Sequence, residues 1–276
     1  MGYQYLSKQP DANGIVPYTP EEHETWKHLI NRQKDVVKHR ACDEFMRGLE
    51  LLELPLDKIP QNHEVSEKLK SLTGWSVAGV PAVIPAEEFF GLLANKQFPA
   101  ATFIRIPEEL DYLEEPDIFH EIFGHCPLLT HPAYADFMHR YGNLALKANK
   151  KQRTRLFRLF WYTIEFGVLK TNQGLKIYGG GILSSKAETE YALDKNHGPE
   201  LEDLNIQKVL RTPFRIDMIQ PNYFLINHFD QLYELLDQNI MGLVDEAIGL
   251  GDLPYHPKFL RKEEKKVGGA FDDHPC

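Results

Sequence analysis

Apolar positions in this chain recur mostly at helical intervals. Trp26, Leu29, Ile30, Gln33 and Val37 form one stripe, three and four residues apart as a single helix face requires. Ahead of it, Thr19-Pro20-Glu21-Glu22 offers an N-cap, a proline at the first helical position and an acid three residues after the cap. These signals predict a helix from Thr19 to about Arg40. A second is expected over Ala41 to Leu52, ending before Pro55. Val65, Leu69 and Leu72 mark a third, closed by Thr73-Gly74. Pro85-Ala86-Glu87-Glu88 opens a fourth, which carries Phe89, Phe90, Leu92 and Leu93. Later helices are expected at about 116–125, 132–148, 151–169, 184–194, 200–210 and 228–249.

Strand signals are few and short. Gly74 to Pro85 reads as loop with a short strand, and Ala101 to Ile106 as a β-like piece stopped by Pro107. Leu175 to Tyr178 is β-prone and runs into Gly179-Gly180-Gly181, and a further strand is expected over Phe214 to Ile219. The expected fold class is therefore mainly α with a few short β-strands. No repeat and no Gly/Ser-rich linker divides the chain. The reading is an extended lead-in over 1–18, a single domain over 19–260, and a charged, mobile tail over 261–276.

Composition narrows the function classes. Of 276 residues, 42% are apolar and 26% charged, which places the chain among globular rather than disordered proteins. The net charge of −9 and the lack of a long basic run argue against nucleic-acid and anionic-membrane partners. No apolar run approaches the ~20 residues of a membrane helix, and Met1 to Pro10 is too polar for a signal peptide. Three cysteines, Cys42, Cys126 and Cys276, cannot make a disulfide framework, so a reduced, cytoplasmic setting is expected.

The candidate chemistry sits in Glu115-Pro116-Asp117-Ile118-Phe119-His120-Glu121-Ile122-Phe123-Gly124-His125-Cys126-Pro127. Two histidines flank an acid in an apolar stretch, as in the zinc-protease pattern H-E-x-x-H. Here, however, they are five residues apart rather than four. Five residues turn an ideal α-helix by about 500°, leaving the two rings roughly 140° apart. They can converge only if the helix ends or distorts between them, as Gly124 and Pro127 allow. A third feature lies downstream, where Glu165 is the one acid in the apolar run Leu156 to Leu169. An ionised carboxylate buried without a partner costs several kcal/mol. Arg158 could neutralise it in a structural ion pair. A metal held by His120, His125 and Glu165 would satisfy all three side chains together. Two histidines and a carboxylate on one face of a metal form the ligand set of non-haem Fe(II) enzymes that use dioxygen, although zinc accepts the same donors.

Three segments also resemble, in order and at the family's intervals, the catalytic domain of the pterin-dependent aromatic amino acid hydroxylases, with the short bacterial, phenylalanine-acting form as the nearest match. They are Pro116-Asp117-Ile118-Phe119-His120-Glu121-Ile122-Phe123-Gly124-His125, Trp161-Tyr162-Thr163-Ile164-Glu165-Phe166-Gly167 and Tyr178-Gly179-Gly180-Gly181-Ile182-Leu183-Ser184-Ser185. The resemblance implies that family's catalytic-domain fold, an Fe(II) site, tetrahydrobiopterin or a related reduced pterin, and dioxygen. It places the iron ligands at His120, His125 and Glu165. Phe89 matches the aromatic residue that stacks on the pterin, Glu121 the acid near it, and Val80 to Ala86, with Val80 and Ile84, the backbone along its edge. Arg105 matches the arginine that holds the substrate carboxylate, a task suited to a guanidinium fork. Pro116, Trp161, Gly181 and Ser184 match the substrate pocket, and Asp117 is a candidate for orienting a ligand imidazole.

The chain also departs from the family. Leu113 stands where animal enzymes carry a threonine, and Phe160 replaces a common tyrosine. No N-terminal regulatory domain or heptad-bearing C-terminal helix is evident, so a monomer is expected. Ile216 occupies the place where tyrosine hydroxylases carry an aspartate, and an apolar side chain there suits a phenyl ring better than a phenol. L-phenylalanine is the expected substrate, with tryptophan or tyrosine as alternatives in the family and a zinc-dependent hydrolase using Glu121 as base as the alternative outside it.

Overall fold

The computed structural model describes residues 5–81, 84–111 and 115–260. The helices expected at the start of the chain are present: α1 (Pro20–Val37), α2 (Asp43–Leu52) and α3 (Asn62–Leu72). Thr19 and Glu22 form a reciprocal capping box that satisfies two amides at the start of α1. Gly74, with φ of +79°, turns the chain after α3. A parallel pair follows, β1 (Ser76–Val80) and β2 (Gln97–Ala101), joined by the crossover helix α4 (Ala86–Ala94). Phe89 lies on α4 and Val80 at the end of β1.

The ligand-bearing segment comes next, followed by α5 (Cys126–Leu129), α6 (Pro132–Lys147) and α7 (Lys150–Phe160). A four-stranded sheet is built from β3 (Val168–Thr171), β4 (Gly174–Ile177), β5 (Glu200–Asp203) and β6 (Asn222–Ile226), in the order β4-β3-β6-β5. Only the β3–β4 pair is antiparallel. Between β4 and β5 lie α8 (Gly180–Leu183) and α9 (Lys186–Ala192); α10 (Ile206–Arg211) precedes β6, and α11 (Asp230–Asp237), α12 (Ile240–Leu250) and α13 (Pro257–Leu260) follow it. One apolar cluster runs from Trp26 on α1 to Ala247 on α12.

Several expected boundaries move. Of the strand expected over Ala101 to Ile106 only Ala101 is paired, because the pairing of β2 ends where β1 ends, at Val80 opposite Ala101. Beyond that point the Thr102 amide bonds the Ser7 hydroxyl instead. The helix expected over 151–169 stops short, and Val168 and Leu169 enter β3. Residues 200–203, expected to be helical, form β5 at the edge of the sheet, where Glu200, Leu201 and Asp203 are all exposed, so neither face is buried enough to impose the apolar alternation that marks a strand. Phe214 to Ile219 is loop rather than strand, and Arg215 pairs with Asp217 within it. The strand lies instead at β6, all five of whose residues are buried. The single helix expected over 228–249 is broken at Gln238, and Asn239 caps α12 by accepting from the Gly242 amide.

Candidate metal and substrate site

The fivefold spacing of the two histidines is resolved by the backbone. His120–His125 forms a π-helical turn rather than an α-helical one. Widening the hydrogen-bond ring to i→i+5 brings the fifth residue round beneath the first, and such turns concentrate at functional sites. A second π-helical turn, Trp161–Glu165, ends α7, and the Phe166 amide donates to the Trp161 carbonyl at 2.9 Å. The two turns place their polar side chains together. Nε2 of His120 and Nε2 of His125 lie 3.2 Å apart. Glu165 reaches His125 Nε2 at 3.3 Å through Oε1 and His120 Nε2 at 3.6 Å through Oε2.

Donors bound to one cation at about 2.0–2.2 Å sit roughly 3 to 3.5 Å from one another. The observed spacings match that geometry. The Glu121 carboxylate also falls within 4.8 Å of ligand atoms on both histidines. Glu165 is the closer of the two acids and touches both rings. Its structural alternative is removed, because Arg158 bonds both carboxylate oxygens of Asp252 at 2.9 Å.

Electrostatics favours the same state. Burial pushes His120 down to about 4, the attraction of Glu165 only partly opposing it and His125 adding to it. The ring is therefore neutral at pH 7, as a metal ligand must be. Burial alone would raise the Glu165 carboxyl, but the two imidazoles and the Gly181 amide hold it below its ordinary value. Glu121 behaves oppositely: burial, with Glu165 and Asp117 nearby, raises it well above the usual range.

The neighbouring glycines explain how the ligands pack so closely. A Cβ on Gly180 would come within 2.4 Å of the His125 ring, and one on Gly181 within 3.0 Å of Glu165 Oε2. The other face of the His125 ring tilts against Phe98, centroids 5.0 Å apart. Ser184 is placed against His120, with Oγ 2.9 Å from Nδ1. Its hydroxyl donates to the Gly180 carbonyl at 2.8 Å, so it accepts the Nδ1 proton and leaves the Nε2 lone pair facing the centre.

Asp117 does not orient an imidazole ring. It accepts from the main-chain amide of His120 at 3.0 Å and from Arg105 through Nε at 2.8 Å, Nη2 at 2.9 Å and the amide at 3.0 Å. Burial would raise Asp117, but Arg105 holds it below the normal carboxylate range. The Nε–Nη2 edge of Arg105 is thus occupied, leaving the Nη1–Nη2 end, with Nη1 and the second N–H of Nη2, as the edge that can meet a substrate carboxylate. Pro116, half-buried, directly precedes Asp117. Trp161 stacks on Phe214 with centroids 4.3 Å apart, packs on Phe166 at 4.6 Å and donates to Gln220 Oε1 at 3.3 Å. Ile216 is 38% exposed on the same loop.

Phe89 is buried, with Phe90 and Phe160 edge-on to it, both at 5.3 Å. Phe160, the residue before the second π turn, is thereby an apolar neighbour of Phe89. Val80 and Ile84 are buried, and the Val80 carbonyl accepts from Ser7 Oγ at 2.9 Å. Ala82, Val83 and Leu113 lie outside the described residues, so part of the expected pterin edge and one expected departure do too.

Gly180 and Phe98, which both pack on the His125 ring, and the fork between Asp117 and Arg105 are not among the site residues expected from the sequence. The triple glycine signalled the first, since chains of Cβ-less residues mark close approach. Nothing in a twelve-residue separation signalled the second.

A helix-dominated fold whose interior presents two histidines and a carboxylate round one point defines a mononuclear metal-dependent protein of the facial-triad type. The model of the biopterin-dependent aromatic amino acid hydroxylases matches residues 2–245, and the chain belongs to that family. It is 54% identical over 248 residues to a phenylalanine-4-hydroxylase of Pseudomonas aeruginosa, covering 90% of this chain and 94% of that one. The apo structure of the cold-active phenylalanine hydroxylase of Colwellia psychrerythraea superposes with a TM-score of 0.89 at 48% identity, over 93% of this chain and 99% of that chain. The Chromobacterium violaceum enzyme with bound iron(III) and 7,8-dihydrobiopterin gives 0.82 at 40% identity, over 90% and 93%.

Proposed function

We infer that this chain is an iron- and tetrahydropterin-dependent monooxygenase that converts L-phenylalanine to L-tyrosine with dioxygen. The observation that carries the reading is the convergence of His120, His125 and Glu165 within 3.2–3.6 Å from two separate π turns. Its support from outside the chain is the family and the phenylalanine-acting relatives at up to 54% identity. The hydrolytic alternative left open by the ligand types has no such support.

His120, His125 and Glu165 would hold Fe(II), which together with a reduced pterin supplies the means to activate dioxygen. What the chain's residues contribute is binding and orientation. Ser184 fixes the His120 tautomer, and the glycine cradle fixes the His125 ring. Phe89, Glu121, Val80 and Ile84 offer an aromatic face, a protonatable acid and a backbone edge, the features that hold a flat hydrogen-bonding ring system. Arg105, steadied by Asp117, would take the substrate carboxylate through its Nη1–Nη2 end. Trp161, Pro116 and the apolar wall around them would hold the ring, and Gly181 lets that wall approach Glu165. Ile216 adds no hydrogen-bonding partner for a phenol, in keeping with phenylalanine.

The test is product analysis with Fe(II), a reduced tetrahydropterin and dioxygen, offering each aromatic amino acid separately. L-tyrosine from phenylalanine, in step with pterin oxidation, is the expected result. Absence of pterin-dependent oxygen uptake with any aromatic amino acid overturns the reading.

Monomeric and cytoplasmic operation are proposals as well. No helix among the described residues is long and apolar enough to cross a membrane. Cys42 and Cys126 are buried free thiols, in keeping with a reducing compartment.

A further inference from the structure

Glu188 is a buried carboxyl for which the metal site has no use. It is 6% exposed and lies in the first turn of α9, where its amide donates to the N-cap hydroxyl of Ser185 at 3.3 Å. The residue before that cap, Ser184, bonds the His120 ring. The start of α9 is therefore tied to the metal ligands on one side. On the other side Glu188 Oε1 accepts from the Gln220 amide at 3.0 Å and from the Tyr223 hydroxyl. Burial pushes this carboxyl up to about 7, with Tyr223 and Gln220 working against it. An apolar residue would fill the space without that desolvation cost.

Gln220 has its whole side chain committed. Its Nε2 donates to the carbonyls of Arg215 at 2.6 Å and Met218 at 2.8 Å, which shapes the loop before it. Its Oε1 takes the indole N–H of Trp161. Tyr223 stacks on Phe166, centroids 6.1 Å apart, and Phe166 packs on Trp161. Both partners of Glu188 thus lead to the same indole, one by hydrogen bonds and the other by ring contacts.

We propose that Glu188 is a positioning residue for the aromatic substrate: by fixing Gln220 and Tyr223 it sets the tilt of the Trp161 indole and the course of the Arg215–Ile219 loop. This rests on the reading of Trp161 as part of the substrate wall. Glu188 touches neither substrate nor metal and acts only through these two neighbours. Loss of its acceptor frees the Gln220 amide and the Tyr223 hydroxyl to seek other partners, and the indole drifts with them.

The experiment compares the iron-loaded wild-type protein with Glu188→Ala and Glu188→Gln. For Glu188→Ala the KM for phenylalanine should rise about tenfold, the loss expected for one buried hydrogen bond. Tyrosine formed per pterin oxidised should fall, while pterin KM and iron content stay at wild-type values. Glu188→Gln keeps an acceptor oxygen in the same place and should restore phenylalanine KM to within about twofold. Should Glu188→Ala not fold, Tyr223→Phe removes the hydroxyl from which Glu188 accepts and should give the same selective rise. Unchanged phenylalanine KM in the soluble one of these variants, or an equal rise in pterin KM, overturns the proposal. Trp161→Leu separates the two levels. A normal phenylalanine KM there ends the substrate-wall reading, whereas a raised KM there with a normal one in Glu188→Ala ends the positioning role alone.

Discussion

The two halves of the proposed active site are built by different means. The metal half is made of backbone: two π turns deliver the ligands, and glycines lie so close that a single Cβ would strike the His125 ring at 2.4 Å. The substrate half is made of side chains. Arg105 is gripped by Asp117, and Trp161 is held by stacking on Phe214 and by one hydrogen bond to a loop whose Ile216 and Ile219 are about two-fifths open to solvent. Backbone packing has few alternative arrangements, because close-packed interiors do not deform continuously. Hydrogen-bonded side chains and open loops can adjust. A ligand site whose donors must meet a cation within tenths of an ångström suits the first construction, and a pocket that must admit and release a ring suits the second.

The strongest way to break this contrast is to remove a metal donor. Glu165→Gln keeps the shape but loses the charge that offsets the cation. Stoichiometric iron binding should disappear, and with it ring hydroxylation. The loss should exceed the roughly 10–100-fold that follows removal of an outer partner of a metal ligand. Metal analysis of the purified variant checks it, and wild-type iron content with normal turnover would remove Glu165 from the ligand set.

Asp117→Asn tests the seam between the halves, since Asp117 touches the His120 amide and the Arg105 fork together. Leaving a buried guanidinium without its anion costs about 3–5 kcal/mol. The melting temperature should fall accordingly, and phenylalanine KM should rise more than pterin KM. A fall in melting temperature with unchanged phenylalanine KM would mean that Arg105 serves the fold rather than the substrate.

How far the residues alone led follows the same division. His120, His125 and Glu165 could be grouped because a lone acid in an apolar run demands a cation, and that demand is local chemistry. The π turns could not be foreseen. An i+5 spacing argues against convergence in an α-helix, and no residue type encodes the wider turn. Helix α1 is readable because its caps are written beside it, whereas Glu200–Asp203 is exposed on both faces and so carries no apolar alternation to mark it as a strand. Phe214 to Ile219, expected as a strand, is a loop in which Arg215 and Asp217 bond each other. The pairing of Arg105 with Asp117, and of Glu188 with Gln220, depends on where separate elements pack, which spacing along a chain does not reveal.

The smallest expected effect belongs to a third arginine–aspartate contact, outside both halves. Asp252 binds Arg158 and Arg155 and ties α7 to the segment after α12. The contact uses the same chemistry as the Arg105–Asp117 pair, but the Asp252 side chain is 40% exposed, so water can replace much of what a substitution removes. Asp252→Asn should cost on the order of 1 kcal/mol and leave both Michaelis constants alone. Its signature is in the pH dependence. Hydrogen bonds from Arg158, with burial opposing and Arg155 assisting, lower this carboxyl from 3.8 to about 2. The folded chain therefore binds fewer protons here than the unfolded one between those values, and the contribution is complete above about pH 4 and lost as pH falls toward 2. Denaturant titrations of wild type and Asp252→Asn should converge across that acid interval and differ by a constant amount above it. A changed phenylalanine KM in this variant would mean that α7 transmits strain to the Trp161–Glu165 turn, and the separation between a rigid ligand frame and an adjustable pocket would then be too simple.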